Sequence, residues 1–299
     1  MMDYLGVINI YKEKGFTSHD VVNIVRKSLG KVKTGHTGTL DPNAEGVLPI
    51  CVGKATKLSE YLASEVKAYR TTLILGANTD TEDATGTVKE TFPVDFDTEK
   101  IATAVQSFVG EYDQTPPMYS ARKINGKKLY ELAREGKEVE RKSKRITIHQ
   151  IDIRAFLPPN QVEIEVICSK GTYIRTLCYD IGKKLDMGGH MGDLLRTRSG
   201  HFDLKDSIKL HELKEKIEQG KLHEVLQSVE SVMKQYKRVQ VSEDSAKLLY
   251  NGNQLPIKFV TNNQKLIFGE EIFVFDCNQN VIGIYLVGDE ILKPTAMLI

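Results

Sequence analysis

The sequence has few of the residues from which metal and redox sites are built. It has no tryptophan and only four cysteines, Cys51, Cys168, Cys178 and Cys277, among 299 residues. No two cysteines form a C-x-x-C pair, so a zinc or thioredoxin-like site is not expected and the thiols are interpreted as reduced core residues. The seven histidines are scattered and form no H-x-x-x-H or H-E-x-x-H pattern. We therefore expect no metal site.

Long hydrophobic runs are also missing. Uninterrupted apolar stretches such as residues 272–275 are far shorter than the ~20 residues that a membrane-spanning helix needs. The N-terminal residues lack the basic start, apolar centre and small-residue cleavage site of a signal peptide. We expect a protein of the cytoplasm that does not enter a membrane.

Charge is nearly balanced overall but is segregated along the chain. The net charge of +1 argues by itself against nucleic-acid binding, because domains that bind nucleic acids usually carry a basic excess. Residues 121–145, however, contain ten Lys or Arg and four Glu, a local charge of +6. Residues 76–113 contain nine acids and two Lys, a local charge of −7. These segments are either two solvated faces or the parts of an RNA-binding surface.

The hydrophobic pattern predicts an α+β protein with two domains. A capping box formed by Thr17 and Asp20 precedes a helix that ends at Gly30, and further helices are predicted over 54–63, 101–108 and 172–185. Alternating β-branched residues over 145–156 and 162–168, separated by a Pro-Pro-Asn turn, predict a hairpin. The sheet is expected to be mixed and largely antiparallel, with helices beside it.

A change of composition near residue 237 predicts a domain boundary. A Lys/Glu-rich helical stretch over 206–237 is followed by short predicted strands at 257–260, 271–275 and 281–286. We therefore divide the chain into a catalytic domain, residues 1–236, and a small β-rich domain, residues 237–299, that is suited to an accessory surface.

The densest chemical signal is the segment GHTGTLDP, residues 35–42. Its glycines permit positive φ, and Pro42 restricts the residue before it to extended backbone, so Asp41 is expected at a rigid, exposed turn. A loop aspartate can equally be a helix cap or an Asx turn. A phosphate-binding loop is excluded because six residues separate Gly46 from Gly53 and Ala55 occupies the Mg²⁺-binding position. The motifs favour chemistry without a cofactor.

Several ordered blocks of the sequence resemble one enzyme family, the TruB-type pseudouridine synthases. The blocks are residues 35–56, 75–86, 117–123, 126–134, 171–177 and 195–200. The resemblance implies the pseudouridine-synthase fold with a small C-terminal PUA-like RNA-binding domain. It implies isomerisation of a uridine at position 55 in the T loop of tRNA to pseudouridine, with the base flipped out of its stack.

The resemblance also implies the catalytic residues. Asp41 matches the family's nucleophile, which attacks either C1′ of the ribose or C6 of the uracil. Tyr69 matches the tyrosine that stacks on the target base and is a candidate base in the reaction. Arg175 matches the arginine that pairs with the catalytic aspartate. In isolation, each of these residues would be interpreted as an ordinary structural side chain.

Further residues are expected to bind the substrate. His36 matches the histidine that enters the T loop when the target leaves it, and the basic segment that includes Lys123 is expected to stabilise the opened loop. The predicted substrate-binding set is His36, Tyr173, Leu194, Lys12 and Lys123. The first family motif usually contains the tetrapeptide Lys-Pro-x-Gly, whereas this chain has KEKG at residues 12–15.

Two other functions share some of these features. The guide-RNA-dependent branch of the superfamily has the same nucleophile but needs partner proteins and a larger, basic C-terminal domain. A catalytically dead RNA-binding module would have lost Asp41 or Arg175, and both are present. We expect a monomer that acts on the T arm of tRNA without an obligatory protein partner.

The affinity of the chain for tRNA is predicted to fall steeply with salt concentration. Lysines and arginines in residues 121–145 that contact phosphates release counterions, so the logarithm of the binding constant declines linearly with the logarithm of salt concentration. Binding of tRNA measured from low to moderate salt gives the slope. A flat dependence would count against residues 121–145 as an RNA-binding face.

Overall fold

The computed structural model describes residues 4–299 apart from 64–65, 125, 138 and 263–264, and of Lys123 it describes the backbone alone. The α-helices are α1 (Ser18–Ser28), α2 (Ser59–Ala63), α3 (Thr98–Gln106), α4 (Leu129–Arg134), α5 (Ile174–Lys184), α6 (Leu210–Glu218), α7 (Val229–Val232) and α8 (Ala246–Tyr250). The strands are β1 (Gly6–Lys12), β2 (Thr34–His36), β3 (Glu45–Val52), β4 (Lys67–Leu75), β5 (Ala77–Thr79), β6 (Val88–Thr91), β7 (Gly110–Gln114), β8 (Lys123–Ile124), β9 (Lys127–Lys128), β10 (Lys144–Leu157), β11 (Gln161–Cys168), β12 (Gly189–Ser199), β13 (Phe202–Asp203), β14 (Leu226–Gln227), β15 (Lys237–Gln240), β16 (Leu255–Pro256), β17 (Glu271–Phe275), β18 (Val281–Val287) and β19 (Ile291–Met297).

One large sheet organises the first part of the chain. Its strand order is β14-β1-β3-β12-β4-β11-β10-β7, with β2 paired to β3 and β13 paired to β12. Strands β3 and β12 are parallel, and the other neighbouring pairs are antiparallel. The predicted α+β class with a mixed, largely antiparallel sheet is confirmed.

Several predicted elements occur where the sequence placed them. The capping box at the start of α1 is formed, with Thr17 accepting from the backbone of Asp20 and the Asp20 carboxylate accepting in return. Strands β10 and β11 form the predicted antiparallel hairpin. The predicted helix over 54–63 is instead a 3₁₀ helix, Gly53–Leu58, followed by α2.

Other elements were missed or wrongly assigned. Strand β12 lies between β3 and β4 at the centre of the large sheet and was not predicted. Its sequence, GHMGDLLRTRS, has two glycines and two arginines and therefore lacks a clear alternation. The predicted strand over 257–260 is wrong, because Ile257–Phe259 is a 3₁₀ helix.

Helices pack against the large sheet through separate apolar clusters. Helices α3 and α5 contribute Ile101, Val105 and Leu177 to a cluster that also includes Tyr69 and Leu194. Helix α1 packs with β1 and β3 in a second cluster. Among the described residues, no helix combines the length and the apolar composition that a bilayer crossing demands.

A second sheet follows in the last part of the chain. Its order is β15-β17-β18-β19-β16. Phe273, Phe275 and Ile284 from this sheet lie in one buried cluster with Val7 and Val47 from the large sheet. The second sheet begins at Lys237, where we predicted a domain boundary, but residues from both sides of that boundary share one core. The division into domains at residue 236 stays a prediction.

Replacing Phe275 by alanine is predicted to destabilise the whole chain. The side chain is 1% exposed, so truncation leaves a cavity in the shared cluster and costs ~3–5 kcal/mol of the free energy of unfolding. Urea denaturation followed by circular dichroism measures the change. As a matched control, Phe268→Ala removes a ring that is 71% exposed and should change the free energy by less than ~0.5 kcal/mol. Equal effects of the two substitutions would contradict a shared core.

Candidate active site

The loop between β2 and β3 carries Asp41 and is anchored on both sides of it. Leu40 is buried, its N–H donates to Ser18 Oγ at 2.8 Å, and its carbonyl accepts from the same hydroxyl at 3.0 Å. After Asp41, the Pro42 carbonyl accepts from the Gly15 N–H at 3.0 Å. The first turn of α1 and the loop after β1 therefore fix the backbone, whereas the Asp41 side chain itself is 45% exposed.

Arg175, in the first turn of α5, pairs with this carboxylate. Its Nε lies 3.1 Å from Asp41 Oδ2. Its two terminal nitrogens donate to the carbonyls of Thr81 at 3.0 Å and Tyr119 at 2.9 Å. Only 6% of the Arg175 side chain is exposed, so the guanidinium is held in one orientation. The structure brings together the two residues that the sequence analysis paired.

A second carboxylate, which the sequence analysis did not single out, lies behind this pair. Asp83 Oδ2 is 3.9 Å from Arg175 Nε. Asp83 Oδ1 accepts from the hydroxyls of Thr81 and Thr85 at 2.8 and 2.6 Å, which holds the carboxylate in place. Asp83 belongs to the block of residues 75–86, so the motif pointed to this loop without indicating which residue matters.

Tyr69 and Leu194 lie on adjacent strands next to the loop. Tyr69 is on β4 and is 8% exposed, and Leu194 is on β12 and is 9% exposed. Both belong to the same apolar cluster as Leu40. Burial raises the pKa of the Tyr69 phenol, whereas the nearby charge of Arg196 lowers it in part. The structure therefore places a buried tyrosine and a leucine beside the Asp41 loop.

Arg196, also on β12, was not predicted as a site residue. It is directly opposite Tyr69 in the β4–β12 register, so the two side chains lie on the same face of the sheet. Its Nε donates to the Val47 carbonyl at 2.6 Å and its Nη2 to the Gly38 carbonyl at 3.1 Å. The block of residues 195–200 includes Arg196, but its partners are main-chain carbonyls and a phenol that only the folded sheet brings to it.

Lys12 is buried, and its ammonium group binds the backbone of the Asp41 loop. Nζ donates to the carbonyls of Ala44 at 2.6 Å, Pro42 at 3.1 Å and Glu13 at 3.1 Å, and the residue is 0% exposed. Burial lowers the pKa of Lys12 to about 8, with the charges of Glu45 and Asp41 opposing the shift. These contacts favour a structural role for Lys12 over the direct substrate contact that we predicted.

The remaining predicted residues are His36 on β2, Tyr173 directly before α5, and Lys123 on β8. His36 is half-buried, and its Nδ1 accepts from the Gly38 N–H at 3.3 Å. Burial lowers the pKa of His36 and Arg196 lowers it further, so the ring is neutral at pH 7. The backbone of Tyr173, directly before α5, is held by Gln114 through bonds of 2.7 and 3.0 Å. The side chain of Lys123 lies outside the described part of the structure.

Part of the basic segment is paired in the fold. Arg145, on β10, makes two hydrogen bonds to Asp113 on β7 at 2.9 and 3.0 Å. Asp113 belongs to the acidic segment of residues 76–113, so the antiparallel pairing of β7 with β10 brings the two segments together. The local charge of +6 therefore overstates the charge that this face presents to a polyanion.

The fold is shared with chains of solved RNA–protein and protein complexes. A chain in a Cbf5–Nop10–Gar1 complex is 25% identical, with 99% of this chain and 85% of that chain covered and a TM-score of 0.76. A chain in an H/ACA RNP bound to a substrate RNA containing 2′-deoxyuridine is 23% identical, with coverages of 99% and 85% and a TM-score of 0.75. The fold therefore places this chain in one structural class with these two chains.

Sequence comparisons define the family within that class. Residues 26–174 match the N-terminal domain of the TruB family of pseudouridylate synthases, and residues 175–234 match the tRNA pseudouridylate synthase B C-terminal domain. The chain is 45% identical to tRNA pseudouridine synthase B of Alkaliphilus oremlandii, with 95% of this chain and 94% of the relative covered. It is 47% identical to the protein of the same name from Lachnoclostridium phytofermentans, with 94% of each covered. The chain belongs to the TruB family.

Replacing Lys12 by methionine is predicted to lower stability. The substitution leaves three carbonyl oxygens of the loop without their buried donor, which costs ~1–3 kcal/mol of the free energy of unfolding. Chemical denaturation measures the loss. Lys14→Met is the matched control, because Lys14 is half-exposed and pairs only with the exposed Asp193, so the expected change is below ~1 kcal/mol. Unchanged stability together with weakened RNA binding in Lys12→Met would instead support a substrate contact.

Proposed function

We propose that the chain isomerises the uridine at position 55, in the T loop of tRNA, to pseudouridine. The observation that carries the proposal is the ion pair between the half-exposed Asp41 and the buried Arg175, next to Tyr69. The names of the relatives, which are tRNA pseudouridine synthases, support tRNA as the substrate. Asp41 is the nucleophile, and Tyr69 and Arg175 are its catalytic partners.

The chemistry of the reaction fits these residues. The bond between C1′ and N1 breaks, the uracil turns, and a bond between C1′ and C5 forms. C5 then loses its proton and N1 gains one, so the product has the same atoms and oxidation state as the substrate. An ionised carboxylate that attacks C1′ or C6 and a base that accepts the C5 proton are sufficient.

Arg175 keeps Asp41 ready for this step. The guanidinium nitrogen lies 3.1 Å from the carboxylate, and the fork of the guanidinium fixes which oxygen faces the substrate. The carbonyls of Thr81 and Tyr119 occupy the other donors of Arg175, so the pair is oriented before the RNA arrives. Asp83 adds a second negative charge that holds the guanidinium.

The pocket also retains the detached base. The ring of Tyr69 stacks on one side of the uracil and Leu194 closes the other side, and a base stacked on an aromatic ring gains ~1–3 kcal/mol. Tyr173 lines the same pocket. The target base must first leave its stack, which costs a few kcal/mol. Neutral His36 enters the space that the base vacates, and Lys12 shapes the loop that carries the nucleophile.

The chain acts on tRNA as a monomer in the cytoplasm, without an obligatory protein partner or guide RNA. Residues 237–299 form a PUA-like RNA-binding domain, and the basic segment including Lys123 binds the T arm. The Cbf5 structures with the same fold include partner proteins or a ribonucleoprotein. The 94–95% coverage, in both directions, of relatives named tRNA pseudouridine synthase B favours the simpler assembly for this chain.

The decisive test uses the purified chain alone. It is incubated with unmodified tRNA transcript and a chelator, and pseudouridine is mapped by chemical probing. Modification of position 55 is the expected result. A transcript with cytidine at position 55 is the control, and it should stay unmodified. Absence of pseudouridine until a guide RNA or protein is added would favour the guide-dependent alternative.

Asp41→Asn is predicted to abolish isomerisation while leaving tRNA affinity close to that of the wild type. The amide keeps the shape of the side chain but cannot act as an anionic nucleophile, so the single-turnover rate should fall by at least ~10⁴-fold. Arg175→Met should slow the same step by roughly 10³-fold, because the carboxylate loses its orientation. The double variant should be no slower than Asp41→Asn alone, since residues that act as a unit are not additive. Appreciable turnover of Asp41→Asn, free of wild-type contamination, would exclude Asp41 as the nucleophile.

A further inference from the structure

Arg196 is a buried cation with an unusual set of partners. The residue is 1% exposed and lies on β12, between β3 and β4. Its donors reach the Val47 carbonyl on β3 at 2.6 Å and the Gly38 carbonyl in the Asp41 loop at 3.1 Å, and the residue lies directly opposite Tyr69 of β4 in the strand register. One guanidinium therefore joins both neighbouring strands and the loop that carries the nucleophile.

No carboxylate balances this charge. Among the described residues, none of the carboxylates lies within 4.0 Å of the Arg196 guanidinium. A charge buried without a counterion is costly, and burial lowers the pKa of Arg196 while its interaction with Tyr69 raises it. Arg175, by contrast, has Asp41 and Asp83 beside it. The group beside Arg196 that can become an anion is the phenol of its cross-strand neighbour, Tyr69.

The other groups around the pair do not supply that anion directly. The titratable residues that face Arg196 and Tyr69 from the neighbouring elements are Lys12 from β1, His36 from β2, Asp41 from the loop, Lys67 from β4 and Cys168 from β11. Lys12 and Lys67 are basic and His36 is neutral at pH 7, and the Asp41 carboxylate pairs with Arg175. Burial raises the pKa of the Cys168 thiol to about 11, so it stays protonated.

We propose that Arg196 is a positioning residue for the reaction, which holds the Tyr69 hydroxyl toward the pocket and stabilises its anionic form. The inference rests on the proposed function. Once the bond between C1′ and C5 has formed, the bond between C5 and its hydrogen must break. The proton passes to the Tyr69 oxygen, the electron pair restores the double bond between C5 and C6, and N1 takes up one proton from the solvent. The positive charge of the neighbouring guanidinium stabilises the phenolate that accepts the C5 proton.

Arginine and lysine are not equivalent in this position. The planar fork of Arg196 binds the Val47 and Gly38 carbonyls while its charge stays beside Tyr69, whereas a lysine ammonium keeps the charge but cannot span both carbonyls in this way. Gly46 reinforces the geometry. A Cβ at Gly46 would lie 2.3 Å from the Arg196 carbonyl, so the parallel β3 and β12 backbones approach closely only because this position lacks a side chain.

A double-mutant cycle separates this role from simple support of the fold. Arg196→Gln and Arg196→Lys are made in the wild type and in Tyr69→Phe, and the single-turnover rate on tRNA transcript is measured at saturating enzyme across the pH range. In the wild-type background, Arg196→Gln should slow the reaction by roughly 10-fold or more, and Arg196→Lys should recover part of the rate. In Tyr69→Phe, which has no phenol to stabilise, either change should cost less than ~2-fold.

The pH profile provides a second readout. Loss of the cation makes the phenol harder to ionise, so the rising limb of the rate should move to higher pH in Arg196→Gln and stay near the wild-type position in Arg196→Lys. Arg198→Lys, two residues further along β12, is the matched control. It should change neither the rate nor the pH at which the rate rises. Melting temperature and tRNA affinity are measured for every variant, and Arg196→Lys decides the cycle if Arg196→Gln does not fold.

Results that would overturn the role of Arg196 differ from a result that would refute the proposed function. Equal losses on changing Arg196 in the wild type and in Tyr69→Phe, with no shift of the pH limb, would overturn the inference and leave only a structural role through Gly38 and Val47. An unaffected rate in Arg196→Gln would overturn it as well. An inactive wild type would instead refute the proposed function, on which the inference depends.

Discussion

The burial of the Arg175 guanidinium is the constraint on which the rest of the site depends. A charge removed from water costs several kcal/mol unless it is paired and hydrogen-bonded. The Arg175 guanidinium is paired with the Asp41 carboxylate and donates hydrogen bonds to the carbonyls of Thr81 and Tyr119. Asp83 adds a more distant ionic contact. These partners come from segments that are far apart in the sequence. The orientation of the Asp41 carboxylate is therefore fixed by folding, before any RNA is bound.

The second buried arginine fixes the same loop from the opposite direction. Arg196 is on the central strand β12, and its bonds to Gly38 and Val47 hold the start of the loop against the sheet. Lys12 holds the end of the loop through the carbonyls of Pro42 and Ala44. Of the Lys-Pro-x-Gly motif this chain lacks only the proline, because KEKG at residues 12–15 keeps Lys12 and Gly15, and the contacts of Lys12 and Arg196 hold the loop.

The sequence predicted those residues of the site that belong to recognised motifs. Asp41 and Arg175 belong to ordered blocks, and the structure brings them to 3.1 Å. Strand β12 could not be predicted because it contains two glycines and two arginines in place of a regular apolar alternation, and the buried Arg196 is held by main-chain carbonyls that only the folded sheet brings to it. Arg196 was missed for the same reason.

Asp83 was within a recognised block, but its distance from Arg175 is a tertiary property. The sequence-based boundary at residue 236 could not reveal the core that Phe275 and Val47 share.

Net charge is a poor guide to this protein because its important charges are arranged in the interior. The chain carries +1 overall, yet Lys12, Arg175 and Arg196 converge on the Asp41 loop. The acidic segment meanwhile neutralises part of the basic segment on the surface, through Arg145. In a buried pocket, fixed cations interact with charge more strongly than they would in water. In the proposed reaction, negative charge develops on the detached uracil, and this pocket is preorganised to stabilise it. Burial raises the pKa of Tyr69 and Arg196 lowers it in part, while Arg175 holds the Asp41 carboxylate, so the buried cations link the architecture of the sheet to both groups that act on the base.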